Sequence, residues 1–569
     1  MNRRPPRSLR DIAAILVIIV TTMIAFAPTF TADFTSWDDY ETVARNPLMN
    51  PPTARSVETF WTRPHGDLYI PVTYTVWAAI AAVSPVDSAA VTTTSPLPPR
   101  RLSAHGFHFM NVVFHIATAI LAYGVLEMLV KHRAAALLGA LLFALHPVQV
   151  ESVAWVSGMK DVLFGMFSLA AIYEYLKFVE EPRVPRRRVH YMVATIAFIL
   201  AMLAKPTAMV VPLVVIVLDH VVLGRSMKTV LKATWPWLLL ALPCAIAAKM
   251  IQPAPHASDA AAPLWARPLI ALDALSFYFA KIAWPAELTF DYGRTPEYVR
   301  TSGAIALTWF VSAMVAVRAW WGWRRGERAI PAGLAVMVIV LLPVLGLVPF
   351  DFQTYSTVAD HYLYLAMLGP ALIVAWFLST RRSRVPIGIV ACVIALLGVR
   401  TFAQTQHWRD SRALFTHGLQ VNPHSFAAYS HLASMENEAN HPEEAIALIR
   451  HALDIRPDAA RYSIYAEALR RKGQTDEAIA AYRAALRQDD RYPAALANLA
   501  AMLAERGRLD EAIPLARRAV DAEPHAAQNR FNLALMYLNS NQPAPAREQL
   551  EAVLRIEPNH AGARQLLSQ

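Results

Sequence analysis

The sequence predicts an all-α protein in which a polytopic membrane domain, residues 1–401, is followed by a helical solenoid, residues 402–569. Composition is the first reason: hydrophobic residues make up 55% of the chain and charged residues only 17%, against roughly 25% charged residues in soluble domains. Pattern is the second reason. Long apolar runs fill the first 400 residues, whereas the remainder repeats every 33–34 residues.

The apolar runs predict about eleven membrane-spanning helices, since roughly 20 apolar residues cross a bilayer core. The predicted spans are residues 11–29, 107–130, 134–149, 162–178, 190–204, 207–223, 233–251, 301–321, 331–349, 362–380 and 385–401. A further apolar segment, Arg267–Trp284, is predicted to lie in the outer interface or to re-enter the membrane. A crossing there would place the basic cluster at Arg324 on the side opposite to all the others.

Basic clusters orient these spans. They lie in the N-terminal tail and near Lys131, Arg183, Arg225, Arg324 and Arg381. With eleven spans all six clusters fall on one side, which the positive-inside rule identifies as the cytoplasm. We therefore expect an integral protein of the inner (cytoplasmic) membrane with a cytoplasmic N-terminus. The loop over residues 30–105 and the solenoid would then both be periplasmic or otherwise extracytoplasmic.

The net charge of +10 resides in the same clusters. The first 400 residues hold 34 of the 53 Lys and Arg and 23 of the 43 Asp and Glu, which leaves 19 and 20 for the rest. The basic excess orients membrane spans and does not indicate a nucleic-acid partner; the predicted partner is membrane lipid. Cys244 and Cys392 each lie within an apolar run, so no structural disulfide is expected.

The repeat beyond residue 401 has small residues at fixed positions of two helices. They are Ala433, Ala466, Ala500 and Ala534 in the first helix, and Ala445, Ala478, Ala512 and Ala546 in the second. Between the helices stand Asn440, Gly473, Gly507 and Asn541, residue types that tolerate a left-handed turn. This pattern is typical of tetratricopeptide repeats (TPRs). It predicts about four repeats with flanking helices over Trp408–Leu419 and His560–Leu567, and a groove that holds a protein or peptide.

Two adjacent carboxylates, Asp38 and Asp39, begin the outer loop directly after the first span. One interpretation is catalytic: one carboxylate serves as a general base and the other orients it or binds the acceptor. The other interpretation is structural, an N-cap or Asx turn that opens an interfacial helix. The adjacent pair does not match the Asp-x-Asp pattern that holds a metal-bound nucleotide sugar, and no metal site is predicted.

Three further polar groups stand at span ends on the same predicted side. Their ionisable and aromatic members are His146, Glu151, Trp155, Lys160, Asp161, Lys205, Asp360 and His361. Structural alternatives exist: Lys160 and Asp161 would pair at a helix start, and Lys205 would snorkel. His108 and His115 are expected to pack or hydrogen-bond rather than bind a metal.

Taken together, these groups favour one chemistry. Ionisable residues at membrane depth are functional candidates. Cations beside carboxylates suit a lipid-linked phosphate donor and a hydroxyl acceptor, because the cations stabilise the leaving phosphate while a carboxylate takes the proton of the acceptor.

The motifs resemble those of a known family. Trp37-Asp38-Asp39 with Asn46-Pro47, His146-Pro-Val-x-Val-Glu151-x-Val-Ala-Trp155 with Lys160-Asp161, Ala-Lys205-Pro206, and Ala-Asp360-His361-Tyr-x-Tyr364 precede the TPRs in that order. The chain thus resembles, over essentially its whole length, the transmembrane and tetratricopeptide-repeat (TMTC) protein O-mannosyltransferases and their bacterial relatives.

The resemblance implies a GT-C fold, a polyprenyl-phosphate sugar donor, typically of mannose, and Ser or Thr hydroxyls of a protein as acceptors. It implies inversion at the anomeric carbon without a cofactor or required metal. Asp38 and Asp39 would carry catalysis. The candidates for the donor phosphate would be Lys160, Lys205, His361 and His146, supported by Glu151, Trp155, Asp161 and Asp360.

The chain departs from the expected family pattern at three positions. Basic residues are expected where Ile70, Met159 and His361 stand. These departures remove candidate phosphate contacts, so the resemblance leaves open both the identity of the donor and the level of activity. His361 would serve only when protonated, which would make activity depend on pH.

Two other functions fit parts of the sequence. A membrane-anchored TPR scaffold that organises envelope proteins would explain the solenoid equally well, but it leaves the outer polar residues without a role. A transporter or lipid flippase would be expected to show internal symmetry, which the sequence does not display.

Overall fold

The structure is a computed structural model that describes residues 9–86, 101–251, 262–303, 308–381, 383 and 385–568. Two compact units make up the chain, Met1–Asn422 and Pro423–Gln569. Both are built of helices, as predicted. The exception among the described residues is a short antiparallel ladder between β1 (Pro85–Val86) and β2 (Arg101–Leu102).

The first unit contains the apolar helices. Its α-helices are α1 (Leu9–Ala25), α2 (Ala54–Thr62), α3 (Pro71–Val83), α4 (Ala104–Val130), α5 (Arg133–Leu145), α6 (Val150–Ala154), α7 (Met159–Glu180), α8 (Val184–Ala204), α9 (Val211–Val217), α10 (Met227–Ile251), α11 (Arg267–Ala283), α12 (Pro296–Thr301), α13 (Trp309–Arg324), α14 (Ala329–Leu341), α15 (Leu363–Ala366), α16 (Leu368–Ser379), α17 (Val385–Thr405) and α18 (Ser411–Val421).

Five helices in the described part of the chain are long and apolar enough to cross a membrane, or seven if each of two bent pairs is one span. Four shorter apolar helices accompany them, among them Pro71–Val83, which lies inside the predicted outer loop. The predicted count of eleven spans therefore stays a prediction. The outer loop is itself folded, since it holds α2, α3 and a π-helical turn over Tyr40–Ala44.

Proline interrupts two of the predicted spans. The span predicted over residues 134–149 ends at Leu145, and Pro147 begins a 3-10 turn that bends the chain by 51° into α6. The span predicted over residues 207–223 divides into a 3-10 turn (Pro206–Val210), α9 and a π-helical turn (Leu218–Val222). Proline lacks the N–H that a continuous helix needs, so both segments change helix type at membrane depth.

Close helix packing in this unit depends on glycine. At the crossing of α14 and α16, a Cβ on Gly333 would lie 2.6 Å from the carbonyl oxygen of Gly369, and a Cβ on Gly369 would clash with the carbonyl oxygen of Gly333. Small residues let helix backbones approach closely inside a membrane. The glycine pair thus fixes how near α14 and α16 can lie.

The second unit is the predicted solenoid. Its helices are α19 (Phe426–Glu438), α20 (Pro442–Ile455), α21 (Ala459–Arg471), α22 (Thr475–Gln488), α23 (Pro493–Glu505), α24 (Leu509–Ala522), α25 (Ala527–Asn539), α26 (Pro543–Ile556) and α27 (Ala561–Leu567). These form four helix pairs and a last short helix. The predicted flanking helix over Trp408–Leu419 is a 3-10 turn (Gln406–Trp408) followed by α18, which Asp410 caps within the first unit.

The residues that predicted the repeat have the expected conformation and burial. Asn440, Gly473, Gly507 and Asn541 all have positive φ, between 59° and 82°. All eight repeating alanines are fully buried. Left-handed turns end the first helix of each pair, and the alanines let the helices pack, so the TPR prediction is confirmed at the level of single residues.

Candidate active site

Asp39 is held between two loops. The side chain is fully buried, and its Oδ2 accepts hydrogen bonds of 2.9 Å from both the N–H and the hydroxyl of Thr35. Its Oδ1 accepts from the N–H (2.9 Å) and the hydroxyl (2.7 Å) of Ser157, which lies 118 residues away in the chain. Burial raises the pKa of Asp39, although the four hydrogen bonds oppose the shift. Asp39 therefore joins the acidic loop to the segment before α7.

The structural interpretation of Asp39 from the sequence was partly wrong. The residue does stand at the N-cap position of the turn Tyr40–Ala44, but its side chain makes no capping hydrogen bond there. All four of its hydrogen bonds go to Thr35 and Ser157 instead. The carboxylate is buried because it connects two segments, not because it begins a helix.

The environment of Asp38 differs from that of Asp39. Its side chain is only partly buried, and no described residue donates a hydrogen bond to its carboxylate. Burial raises the pKa of Asp38 to about 6; the nearby Lys160 opposes this shift, while Asp39 and Glu41 add to it. A carboxylate with a pKa near neutrality and no protein donor is suited to accept a proton.

Lys160 lies beside the acidic loop. Its Nζ donates a 3.0 Å hydrogen bond to the carbonyl oxygen of Ser157 and lies 4.1 Å from the ring centroid of Trp155. One interpretation expected Asp161 to pair with Lys160 at the helix start. That expectation is wrong, because Asp161 pairs with Lys205. Ser157 thus holds Asp39 with its N–H and hydroxyl, and holds Lys160 with its carbonyl.

Lys205 points into the protein. Its amine forms an ion pair with the buried Asp161 and lies 5.6 Å from the ring centroid of Tyr362. Only 14% of its side chain is exposed, so the snorkelling alternative is wrong for this lysine. The ion pair places a second amine near the one of Lys160.

Glu151 and His361 form a buried pair. The Oε2 of Glu151 accepts a 2.9 Å hydrogen bond from the backbone N–H of His361, and its Oε1 lies 2.8 Å from the Nδ1 of that imidazole. The His361 ring is 6.0 Å from that of Trp155. These contacts connect α6 to the 3-10 turn Asp360–Tyr362 and bring two separate motifs together.

Asp360 faces a different partner. Both of its carboxylate oxygens accept from the hydroxyl of Tyr292, at 2.8 and 2.9 Å. The amine of Lys281 lies 5.1 Å from the Tyr292 ring centroid. Asp360 therefore anchors the segment after α11 beside the site.

The structure does not bring His146 into this cluster. Its Nε2 lies 3.0 Å from the carbonyl oxygen of Ile282, and its Nδ1 accepts from the N–H of Val148 at the start of a 3-10 turn. His146 is thus a capping residue, and its predicted phosphate role has no geometric support. His115 is buried between the hydroxyl of Tyr364 (2.8 Å) and the carbonyl of Ala144 (3.0 Å), which agrees with the expected packing role.

The two apolar departures belong to one hydrophobic cluster. Ile70 and Met159 are both buried, and they pack in the cluster that also contains Ala204, the neighbour of Lys205. A single basic residue at either position would be surrounded by apolar side chains, at a large desolvation cost. The two departures therefore fit each other, and the wall beside the lysines is apolar.

An apolar cavity of about 280 Å³ opens next to Lys205. Its lining comes from the segment before α3, from α8 and from α10, and includes Tyr69, Met202, Pro206, Cys244 and Ala248. Pro206 directly follows Lys205 in the chain. The cavity is thus next to Lys205 in the sequence, while the amine of Lys205 pairs with Asp161.

Sequence reasoning missed the residues that connect the motifs. Ser157, Thr35 and Tyr292 hold Asp39 and Asp360 through hydrogen bonds. Ser and Tyr are common in loops, and only the position of Ser157 inside the motif, three residues before Lys160, gave any signal.

Comparison with known proteins shows which families parts of this chain resemble. Residues 103–251 match the family described as dolichyl-phosphate-mannose-protein mannosyltransferase, a range that contains the Glu151, Lys160 and Lys205 motifs. Residues 396–460, 466–527 and 503–569 match tetratricopeptide repeats. The chain thus combines a segment similar to membrane mannosyltransferases with TPRs.

The relatives make the resemblance specific. Protein O-mannosyl-transferase TMTC3 of Mus musculus is 23% identical over 522 residues, which covers 81% of this chain and 56% of the relative. TMTC1 of Homo sapiens is 24% identical over 413 residues, with 62% and 46% covered. The resemblance to the TMTC protein O-mannosyltransferases is confirmed. The chain spans about half the length of the curated relatives it matches.

Two solved structures are similar to part of this chain. A crystal structure of MamA is 18% identical with a TM-score of 0.24, and the match covers 27% of this chain and 90% of that one. The TPR protein YrrB is also 18% identical with a TM-score of 0.24, over 33% of this chain and 93% of the other.

Proposed function

We propose that this protein is a membrane glycosyltransferase of the GT-C type. It transfers a sugar, mannose in this proposal, from a polyprenyl-phosphate donor to Ser or Thr hydroxyls of proteins on the non-cytoplasmic side of the membrane. One observation carries the proposal. The Asp38 carboxylate accepts no hydrogen bond from the described residues and lies near enough to the Lys160 amine for that positive charge to lower its pKa. The names of the relatives support the sugar and the acceptor class.

The chemistry follows from these two groups. The proton of the acceptor hydroxyl passes to Asp38 as the hydroxyl oxygen bonds to the anomeric carbon. The bond from that carbon to the phosphate oxygen breaks, and its electron pair leaves with polyprenyl phosphate. Lys160 and Lys205 stabilise the negative charge of the leaving group, so the proposal requires no metal or cofactor. Attack opposite to the leaving group inverts the anomeric carbon.

Asp39 acts as a positioning residue in this proposal. Its four hydrogen bonds to Thr35 and Ser157 fix the acidic loop against the segment that carries Lys160. The distance between the base and the phosphate site is thereby set by Ser157, which contacts both sides.

The cavity beside Lys205 supports a lipid-linked donor. The apolar lining of this cavity suits the prenyl chain of such a donor, and Lys160 and Lys205 are the amines proposed to bind its phosphate. Leu68 and Leu203, which line the cavity, also pack against the hydrophobic cluster that contains Ile70 and Met159. In this proposal the TPR unit binds the acceptor protein, and the sidedness is the one expected from the basic clusters.

The test uses the full-length protein in proteoliposomes with polyprenyl-phosphate mannose and a Ser/Thr-rich acceptor peptide. Asp38→Asn should abolish transfer, because the amide cannot take the proton. Asp39→Asn should reduce transfer through misplacement of the loop. Glu58→Gln is the matched control, because Glu58 is an exposed acid of α2 in the same outer loop, and it should leave transfer unchanged.

Full transfer by Asp38→Asn would contradict the assignment of the base. If Asp38→Asn also restored all functions to a deletion strain, while variants in the TPR groove did not, a non-enzymatic TPR scaffold would be the better description.

A further inference from the structure

Aromatic side chains connect the two ends of the candidate active site. On one side, Lys160 lies over the ring of Trp155 at 4.1 Å, and the Trp155 ring is 6.0 Å from that of His361. This arm leads from the amine beside Asp38 to the 3-10 turn that follows residue 359.

A second arm returns to Asp38 through different residues. The His361 ring is 6.0 Å from that of Phe352, and the Phe352 ring is 5.9 Å from that of Tyr355. The Tyr355 ring lies 5.4 Å from that of Trp37, edge to face. Trp37 is the chain neighbour of Asp38, whose carboxylate lies near the amine of Lys160. The aromatic contacts and this link along the chain together form a closed circuit.

Three aromatic residues of the circuit are partly exposed to solvent. Trp155 and His361 are buried, whereas Trp37, Phe352 and Tyr355 are only partly buried. The carboxylate of Asp38 and the amine of Lys160 belong to the same circuit and are partly buried as well. Aromatic surface thus borders the proposed base and the proposed phosphate site.

The segment that carries Phe352 and Tyr355 is firmly held. The N–H of Thr357 donates a 2.8 Å hydrogen bond to the carbonyl of Arg294. The guanidinium of Arg294 in turn donates to both carboxylate oxygens of Asp273, at 2.7 and 2.6 Å. These bonds connect the segment to α11 and preorganise the two aromatic rings.

We propose that Trp37, Phe352 and Tyr355 form the subsite for the pyranose ring of the donor, with Tyr355 stacked on its C–H face. The inference rests on the proposed function, because it places the sugar between the base and the phosphate. Aromatic faces carry partial negative charge and attract the partly positive C–H groups of a ring placed over them. A sugar on this wall has its anomeric carbon within the circuit that contains both Asp38 and Lys160.

The experiment separates the sugar from the lipid. The full chain in nanodiscs is titrated with polyprenyl-phosphate mannose and, separately, with sugar-free polyprenyl phosphate. The wild type should prefer the sugar-loaded lipid. Tyr355→Leu and Trp37→Leu should weaken binding of the loaded lipid by about three- to tenfold, with binding of the sugar-free lipid unchanged. Tyr355→Phe should retain the wild-type preference, since it keeps the ring.

Phe350→Leu is the matched control. Phe350 is an aromatic residue of the same segment that contacts Tyr362 and lies outside the circuit. It should bind both lipids as the wild type does. A similar loss in Phe350→Leu would show that the leucine variants act through the fold of the segment.

The inference would also be overturned by a wild type without preference for the loaded lipid, by equal weakening of both lipids in Tyr355→Leu, or by a change confined to the KM of the acceptor peptide. The failure of the proposed function looks different. A wild type that prefers the loaded lipid but transfers no sugar refutes the enzyme and leaves the sugar subsite standing. Sugar transfer that Tyr355→Leu leaves unchanged, with unchanged donor binding, refutes only the subsite.

Discussion

Asp38 and Asp39 are adjacent in the chain, yet they differ in burial and in hydrogen bonding. Asp39 is buried and accepts four hydrogen bonds, whereas Asp38 is partly exposed and accepts none from the described residues. The burial that raises the pKa of Asp38 to about 6 keeps its carboxylate ready to take a proton near neutral pH.

The rate of sugar transfer should depend on pH through Asp38. The base is the ionised form, so the rate at saturating donor should fall as pH drops below about 6 and should level off above it. Transfer of radiolabelled sugar between about pH 5 and pH 8 measures the profile. A rate that stays constant across this range would contradict a base with this pKa.

Ser157→Ala should show whether the Ser157 hydroxyl positions Asp39 without contributing to binding of the donor. The change removes the hydroxyl that donates to Asp39 while the backbone contacts to Asp39 and Lys160 remain. We expect kcat to fall by about tenfold, the effect of one hydrogen bond to a charged group, with little change in the KM of the donor. Ser157→Thr should restore part of the rate, because it keeps the hydroxyl.

Ser168→Ala provides the control for this variant. Ser168 is a buried serine in α7 whose hydroxyl has no hydrogen-bond partner among the described residues. It should transfer sugar at the wild-type rate. An equal loss of kcat in both variants would assign the effect of Ser157 to packing.

Most residues of the candidate site were predictable from the sequence, but the contacts that distinguish them were not. Asp38, Lys160, Lys205 and His361 were identified as candidates because ionisable groups are costly at membrane depth. The role of Asp39 depends on Ser157, 118 residues away, and no local pattern reports a contact of that kind. His146 has the same motif signal as Glu151, yet it caps a turn.

At the scale of elements, apolar length predicted helices well and helix breaks poorly. The spans over residues 107–130 and 162–178 correspond to α4 and α7. The segments that contain Pro147 and Pro206 change helix type and place Glu151 and Lys205 at their ends. The breaks therefore position functional groups, and a window of average hydropathy cannot locate them.

Gly369→Ala should destabilise the packing of α14 on α16. Its added methyl group would meet the backbone of Gly333, which cannot move aside as a flexible side chain does. We expect the free energy of unfolding to fall by about 1–3 kcal/mol, measured by thermal unfolding in detergent. Gly388→Ala is the control, because a Cβ on Gly388 would meet nothing within 4 Å. Equal midpoints for the two variants would contradict the tight crossing.

At the scale of the whole molecule, the two units differ in how much the sequence could predict. In the TPR unit each contact is repeated by its neighbours, so a period of 33–34 residues and eight alanines were enough. In the first unit the site draws on residues around 38, 157, 205 and 361. These contacts join distant parts of the chain and do not recur along the sequence. Only the family motifs indicated that the residues would lie together.

Residues 423–569 should fold on their own. The unit has a continuous hydrophobic cluster formed by its own helices, from Ala445 to Ala546. We expect the isolated segment to be soluble and helical and to unfold cooperatively on heating, followed by circular dichroism. Residues 1–422 should still transfer sugar to a short peptide. A segment 423–569 without a cooperative transition would contradict its independence.

The cavity beside Lys205 contains a feature that makes it measurable in the unmodified protein. The chain has two cysteines, both free: Cys244 lines the cavity, with its Sγ 3.8 Å from the carbonyl oxygen of Pro206, whereas Cys392 is exposed on α17. A membrane-permeant thiol reagent will label both sites, and a chain that fills the cavity will slow labelling at Cys244 alone. The rate of labelling at Cys244, compared with the rate at Cys392, therefore reports whether the cavity is occupied.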